Sequence, residues 1–347
     1  MVTRRPDVDP STVAFGLRVT AASRLSFTLI DLNGETGRRN GMASLSLRHP
    51  SVQLVARPAD RLTVDTDANA DEYRPVLVDF LGRMADRFAL PPVGLTVERG
   101  LPPHHGFGSK TTTLLAAGKA YAALYGQAID TASLARLAGR AGTSGASVNL
   151  IDRGGYLVDG GHLNPDDFND DPQAYLLPSR FAHPAPKPPV LIQAPFPPWP
   201  ILCIITEGSE LHGKPELDWF RKTLPIPAAE ARRTAHHVLL NLSTAVIEAD
   251  YRHFCRALNV LTYEHHYKRE QILVQPEPVQ RMFREAESRD DIDAICISVT
   301  GPMCYAFTRD RTSALAWCDG LVRDGIARDF FFTNAQNHPA VIEGVPL

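Results

Sequence analysis

Apolar and polar positions alternate through most of the first hundred residues, the two-residue period of half-buried strands. Val13 to Thr20, Leu25 to Leu32, Met42 to Leu47, Val52 to Ala56 and Leu62 to Val64 read as strands. A helical spacing from about Glu72 to Phe88 then leads to a strand at Gly94 to Glu98. Helices are predicted at Lys110 to Tyr125 and Thr131 to Ala141. In the first of these Leu114, Leu115, Gly118, Tyr121, Ala122 and Tyr125 form a stripe that reads as core. Between Pro184 and Pro200 the composition shifts to PAPKPPVLIQAPFPPWP, where proline removes donors and favours extended backbone. This stretch reads as a crossing between domains with a strand at Val190-Leu191-Ile192, or else as a Pro-rich ligand for another protein. Beyond it the pattern predicts a buried strand at Ile201 to Thr206 and helices at Ala228 to Ala249 and Pro278 to Ser288. Paired strands follow at Ala294 to Val299 and Cys304 to Thr308, then a helix at Thr312 to Asp324 and a final strand at Phe330 to Thr333. A strand-rich first half before a mixed second half makes an α+β chain, divided as 1–183, 184–200 and 201–347.

Composition narrows the class. A chain of 347 residues, 44% of them hydrophobic, buries a core large enough for two domains. A net charge of −3 leaves no basic footprint for nucleic acid. No apolar run reaches the roughly 20 residues of a membrane span, and MVTRRPDVDP is not a secretory leader, so a cytoplasmic enzyme is expected. The five cysteines, Cys203, Cys255, Cys296, Cys304 and Cys318, are scattered among apolar residues and read as reduced core positions. Adjacent histidine pairs at 104–105, 236–237 and 265–266 lack the spacing of a zinc site. Lysine is confined to Lys110, Lys119, Lys187, Lys214, Lys222 and Lys268, which makes each one worth testing.

The densest chemistry lies in PPHHGFGSKTTTLLAAGKAYAALYG, Pro102 to Gly126. Gly106 and Gly108 let the backbone bend and approach a ligand. Ser109, Thr111, Thr112 and Thr113 supply hydroxyls, and the free N–H groups at the helix start point out with the positive end of its dipole. A phosphorylated substrate suits such a turn; a plain helix capped by Ser109 accounts for the same string. It is not a Walker A loop, because Ser109 rather than glycine precedes Lys110.

The segment Pro102, Gly106, Phe107, Gly108, Ser109 resembles the second motif of the GHMP superfamily of small-molecule kinases, with Lys110 where those kinases carry another small residue. Further segments resemble a non-kinase branch, the β-ribofuranosylaminobenzene 5′-phosphate synthases. They are SRLSFTLIDLNG from Ser23 to Gly34, GRRNG from Gly37 to Gly41, GGYLVDGGH from Gly154 to His162, His212-Gly213-Lys214 leading to Leu224-Pro225, and Ser298-Val299-Thr300-Gly301-Pro302. Within that branch the chain is most similar to the C-glycosynthases of formycin-type C-nucleoside antibiotic pathways. The resemblance implies a two-domain GHMP-kinase-like sandwich with the ligand cleft between domains, and a homodimer. It also implies condensation of phosphoribosyl pyrophosphate (PRPP), carried with Mg2+, with an aromatic or heteroaromatic carboxylic acid, releasing CO2 and pyrophosphate.

Each step of that reaction needs particular groups. Breaking the ribose C1′–pyrophosphate bond calls for donors aimed at the leaving group, which the Gly106 to Thr113 turn provides; Lys110 adds a point charge, unless it is a solvated helix-start lysine. Arg24, Arg38, Arg39 and Asn40 form a second set of anion binders, with Ser26 and Thr28 expected on the face of Arg24 and Ser298 and Thr300 at the third motif. For Arg38 and Arg39 a solvated loop is the competing reading. Asp31, Asp152, Asp159 and His162 are candidates to orient ribose hydroxyls, hold magnesium or remove a proton, although DRGG and DGGH are also good turn sequences. The metal-holding residues stay unassigned. A methanopterin-type synthase with an aminobenzoate-type acceptor, an ATP-dependent kinase and a non-catalytic ligand sensor are the alternatives.

Overall fold

The computed structural model describes residues 15–208, 211 and 213–346. Val13, where the first strand was expected to start, and His212 lie outside the described residues. Two long antiparallel strands organise the first sheet, β1 (Gly16–Asp31) and β2 (Arg38–Pro58). The alternation predicted four shorter strands here. The polar break at Arg48-His49-Pro50 is a bulge rather than a turn: Ala22 pairs with Ser51 and the next residue, Ser23, with Leu47. The extruded residues bond elsewhere, Arg48 N–H to Asn334 C=O at 2.8 Å and His49 N–H to Thr333 Oγ1 at 3.1 Å.

Behind this hairpin β3 (Thr63–Thr66) runs parallel to β4 (Val93–Arg99), joined by α1 (Arg74–Phe88), and β4 pairs with the second half of β2. The first half of β2 pairs with β5 (Tyr156–Asp159), and Arg38-Arg39 with the short β6 (His162–Leu163). Between β4 and β5 lie α2 (Ser109–Leu124), α3 (Thr131–Leu137) and α4 (Ala146–Arg153). The Pro-rich stretch does contain a strand, β7 (Val190–Ala194), which pairs with β5.

The second sheet has the order β11-β8-β10-β9, from β8 (Ile201–Thr206), β9 (Ala294–Ile297), β10 (Met303–Phe307) and β11 (Ala327–Thr333), all antiparallel. The apolar runs of β8, β9 and β10 are buried on both faces, while the edge strand β11 is only partly covered. One face packs on α10 (Glu277–Glu287) and α11 (Arg311–Arg323), the other on the first sheet. Phe27, Tyr156, Phe196, Phe254, Tyr305 and Phe307 meet there with ring centroids 4.9–6.4 Å apart.

The fold is the expected α+β arrangement in two parts, with three departures. The strand at the end of the predicted list is not the last, because β12 (Val341–Val345) returns to pair with β1, so segment 201–347 contributes to both sheets. The helix expected over Ala228 to Ala249 is α6 (Ala228–His237), a π-helical turn (Val238–Leu242) and α7 (Ser243–Ile247) in succession. Four helices without a counterpart in the sequence reading are α4, α5 (Lys214–Thr223), α8 (Tyr251–Glu264) and α9 (His266–Leu273). Helix α8 was legible: Asp250 caps it by accepting from His253 N–H at 2.9 Å, and Phe254, Leu258 and Leu261 repeat at helical spacing.

Candidate active site

Helix α2 is enclosed on nearly every side, which its alanines and Gly118 permit, so its start is held rigidly. Gly106 and Gly108 precede it at φ +84° and +75°. Both need the absence of Cβ for a second reason: a Cβ on Gly106 would lie 2.7 Å from Ser298 C=O, and one on Gly108 2.6 Å from Ser147 Oγ and 2.8 Å from Arg24 Cγ. Ser109 is not the N-cap, as the sequence suggested. Gly108 takes that position, and Ser109 Oγ donates to Pro102 C=O at 2.6 Å, closing the loop. The helical ladder starts with Thr112 N–H on Gly108 C=O, leaving the N–H groups of Ser109, Lys110 and Thr111 ahead of it. Thr112 and Thr113 face the core, so their hydroxyls are not part of the anion surface; Thr113 is fully buried and its Oγ1 has no partner.

Four cations surround this start. Arg24, half-buried on β1, donates from its side chain to Gly106 C=O at 3.1 Å, while its N–H holds Phe107 C=O. Arg140 donates to Thr111 Oγ1 at 2.8 Å and to Ser179 Oγ at 3.1 Å. Burial, then repulsion from Arg140, brings the Arg24 guanidinium down to about 10. Burial and the charges of Arg140 and Arg180 lower Lys110 as well. No carboxylate lies within ion-pair distance of Arg24, Lys110, Arg140 or Arg180 among the described residues. Converging cations with no acid in ion-pair contact are the arrangement that a multiply charged anion would require.

The turn after β9 closes over the same loop. Ser298 Oγ accepts from Ser26 N–H at 3.1 Å and donates to Gly106 C=O at 3.2 Å, and Gly301 packs against Gly106 N and His104 C=O. Thr300 Oγ1 donates to Glu216 Oε1, in the first turn of α5, at 2.8 Å. Burial raises the Glu216 carboxyl, against the opposing pull of Thr300, His104 and Arg24.

Ser26 stands opposite Ser44, whereas Thr28 stands opposite Ala43. Neighbouring residues of β2 point to opposite faces, so the bulge at Phe27 turns Thr28 away from Arg24 and Ser26, contrary to expectation; its Oγ1 bonds Leu29 C=O.

The structure does not join Arg24 to Arg38, Arg39 and Asn40. Arg38 donates to Gly160 C=O at 2.8 Å and Gly161 C=O at 2.9 Å, and Arg39 donates to Leu163 C=O and lies 5.4 Å from the Tyr175 ring centre. These arginines clamp the β5–β6 turn instead of projecting into solvent. Next to them Asn40, at φ +65°, is 1% exposed with neither amide atom bonded. Asp159 is fully buried; one oxygen accepts from Gly161 N–H at 3.0 Å, the other has no partner, and burial pushes it up to about 7. Burial and Arg39 push His162 down to about 4. Segment 140–147 links the two clusters, since Arg140 meets Thr111, Ser147 meets Gly108, and Gly145 lies against Asp159.

Two further candidates have structural duties. Asp31 accepts from the N–H groups of Asn33 and Gly34, and Asp152 binds Lys119 at 2.7 Å and Thr131 Oγ1 at 2.8 Å. Sequence reasoning missed Arg140, Arg180 and Glu216. It noted Lys268 only as a scarce lysine; that side chain is fully buried and donates to Ile297 C=O at 2.6 Å, one residue before Ser298. A cavity of about 510 Å³ lined by Tyr251, Cys255, Tyr263, Asp293 and Arg309 includes none of the loop residues. All five cysteines are free and buried, and among the described residues no helix is long and apolar enough to cross a membrane.

Residues 76–151 match the GHMP kinases N terminal domain. The chain is 30% identical over 333 residues to the β-ribofuranosylphenol 5′-phosphate synthase of Archaeoglobus fulgidus, covering 94% of this chain and 99% of that one. The Methanocaldococcus jannaschii protein of the same name is 28% identical over 92% of this chain and 98% of its own. Solved structures with the same fold include homoserine kinase from Cytophaga hutchinsonii, with a TM-score of 0.65 and 15% identity over 98% of this chain and all of the other. Mevalonate kinase from L. major, in complex with R-mevalonate, also scores 0.65, with 12% identity over 93% and 96% of the two chains.

Proposed function

This chain belongs to the β-ribofuranosylphenol 5′-phosphate synthase family and has the GHMP fold, and from that premise we propose that it transfers ribosyl 5-phosphate from PRPP to an aromatic carboxylic acid. The observation that carries the reading is the start of α2, where three N–H groups ahead of the helical ladder meet Arg24, Lys110, Arg140 and Arg180. Pyrophosphate is the multiply charged group that such a site would hold and stabilise as it departs.

In the proposed step the C1′–O bond breaks and pyrophosphate leaves with the electron pair. The ring carbon bearing the carboxylate supplies a pair to C1′. The bond to the carboxylate carbon then breaks, its electrons restore aromaticity, and CO2 leaves. Decarboxylation replaces loss of a ring proton, so the protein's main task is to orient the ring in a dry pocket. Trp219 and Tyr267, whose ring centres lie 6.0 Å apart and the second of which is in electrostatic reach of Arg24, are the aromatic side chains available to line it.

Mg2+ would neutralise the departing pyrophosphate. Among the described residues no three His, Cys, Asp or Glu side chains form a metal cage. The residues present would leave such an ion to phosphate oxygens and water.

The relatives' name describes a ribosyl group on a phenol ring. It favours a hydroxy- or aminobenzoate-type acceptor, the methanopterin-type alternative, over the heteroaromatic acid of C-nucleoside synthesis. A homodimer remains part of the proposal, to be checked by light scattering. The test of function is phosphorus NMR and mass spectrometry with Mg2+, PRPP and a panel of aromatic carboxylic acids, beside ATP with small alcohols. The expected result is pyrophosphate release matched by a decarboxylated ribosyl adduct. ADP formation would move the chain to the kinases, and binding without product would make it a ligand sensor.

A further inference from the structure

Four other carboxylates already have duties: Asp31 shapes a turn, Asp152 holds Lys119, Asp159 is sealed behind β2, and Glu72 binds His104 at 3.0 Å. Glu216 differs. It is half-buried at the edge of the loop, only Oε1 is bonded, by Thr300, and it forms no ion pair among the described residues although the charges of Arg24 and His104 reach it. Its place is constrained from two sides, by α5 and by the 298–301 turn, and the charge of Arg24, which binds Gly106, reaches it. Val299, a β-branched residue at φ +57°, shows that the turn is held in a costly conformation between Ser298, which binds the loop, and Thr300, which binds Glu216.

We infer that Glu216 faces the ribosyl ring and stabilises the positive charge that develops at C1′, with Thr300 as its positioning residue. This rests on the ribosyl-transfer reading above. In PRPP the C1′ atom is bonded to the pyrophosphate, so a pyrophosphate seated at α2 places C1′ beside the loop, where Glu216 presents its unbonded oxygen. As the C1′–O bond breaks, a fixed carboxylate next to the ring attracts the forming cation without forming or breaking a bond itself. An acid in the first turn of α5 also suits the helix dipole, so the test must move something that a helix-stabilising role would not.

The test uses the full chain with PRPP, Mg2+ and 4-hydroxybenzoate as probe acceptor. Glu216→Gln is expected to lower kcat by about 10²–10³-fold, with the Kd for PRPP changed less than about threefold. Thr300→Val is the second variant. Removing a donor to the carboxylate raises its proton affinity, so the acid limb of the kcat profile moves to higher pH, and Thr300→Ser restores it. The charged or titratable groups facing Glu216 are Arg24 from β1, His104 from the loop and Tyr267 from α9. Because the imidazole of His104 is one of these groups, the limb must persist in His104→Gln. An active wild type with Glu216→Gln within threefold of it, loss of kcat that excess Mg2+ restores, or an unmoved limb in Thr300→Val overturns the assignment alone. A wild type that forms no adduct overturns the ribosyl-transfer reading and this inference with it.

Discussion

Gly106→Ala probes how the loop is held. The residue sits at φ +84°, where a side chain costs about 1–2 kcal/mol. The new Cβ would also stand 2.7 Å from Ser298 C=O, a backbone atom of a turn pinned to β1 through Ser26 and so unable to give way cheaply. If the loop retreats instead, Gly106 C=O leaves the Arg24 guanidinium at 3.1 Å, and a hydrogen bond to a charged group is worth about 1.5–3 kcal/mol. The summed expectation is about 2.5–5 kcal/mol of stability, together with at least a roughly tenfold weaker pyrophosphate Kd, because displaced N–H groups no longer converge. Gly126→Ala is the control. Its φ is +63° but a Cβ there meets nothing within 4 Å, so only the backbone cost of about 1–2 kcal/mol applies and binding is unchanged. Urea denaturation and calorimetric titration of pyrophosphate measure both. Equal stability losses in the two variants, with pyrophosphate affinity intact in Gly106→Ala, would refute the reasoning.

Arg140→Gln should weaken pyrophosphate binding by about tenfold and flatten its salt dependence in calorimetry at two ionic strengths, while raising the pKa of Lys110, which Arg140 now lowers. Asp159, held at about 7 when folded against 3.8 for a free carboxyl, binds its proton more tightly in the native state. Its contribution therefore favours the fold below about pH 4 and is lost as pH rises toward 7. Asp159→Asn should accordingly gain stability relative to wild type at pH 8 and lose that gain at pH 4, read by urea melts at each pH. Asp152→Asn, which removes the partly exposed pair with Lys119, should cost about 1 kcal/mol or less in the same melts and leave kcat unchanged, since Asp152 staples helices away from the loop.

What was legible in the chain was local. Strand alternation, the Gly106 to Thr113 turn and the order of the family's segments are written in neighbouring residues, and the period of a pattern or the φ range of glycine suffices to read them. The separate strands read at Met42–Leu47 and Val52–Ala56 are one, because a polar interruption in an apolar run has the same signature whether the strand ends or merely bulges. The face assigned to Thr28 failed for a related reason, since one extra residue at Phe27 inverts every later side chain while leaving the local pattern intact.

The make-up of the site was decided by the tertiary structure. Arg140 reaches Thr111 from 29 positions away and Thr300 reaches Glu216 from 84, and no short window contains either pair. Arg38 and Arg39 read as anion binders because arginine in a glycine-rich loop carries no mark of its partner; the fold gave their donors to carbonyls of the β5–β6 turn. Local sequence determines backbone conformation through sterics and periodicity. Which charges are left unpaired depends on what packing brings within a few ångströms, and that choice makes the start of α2 the candidate anion site.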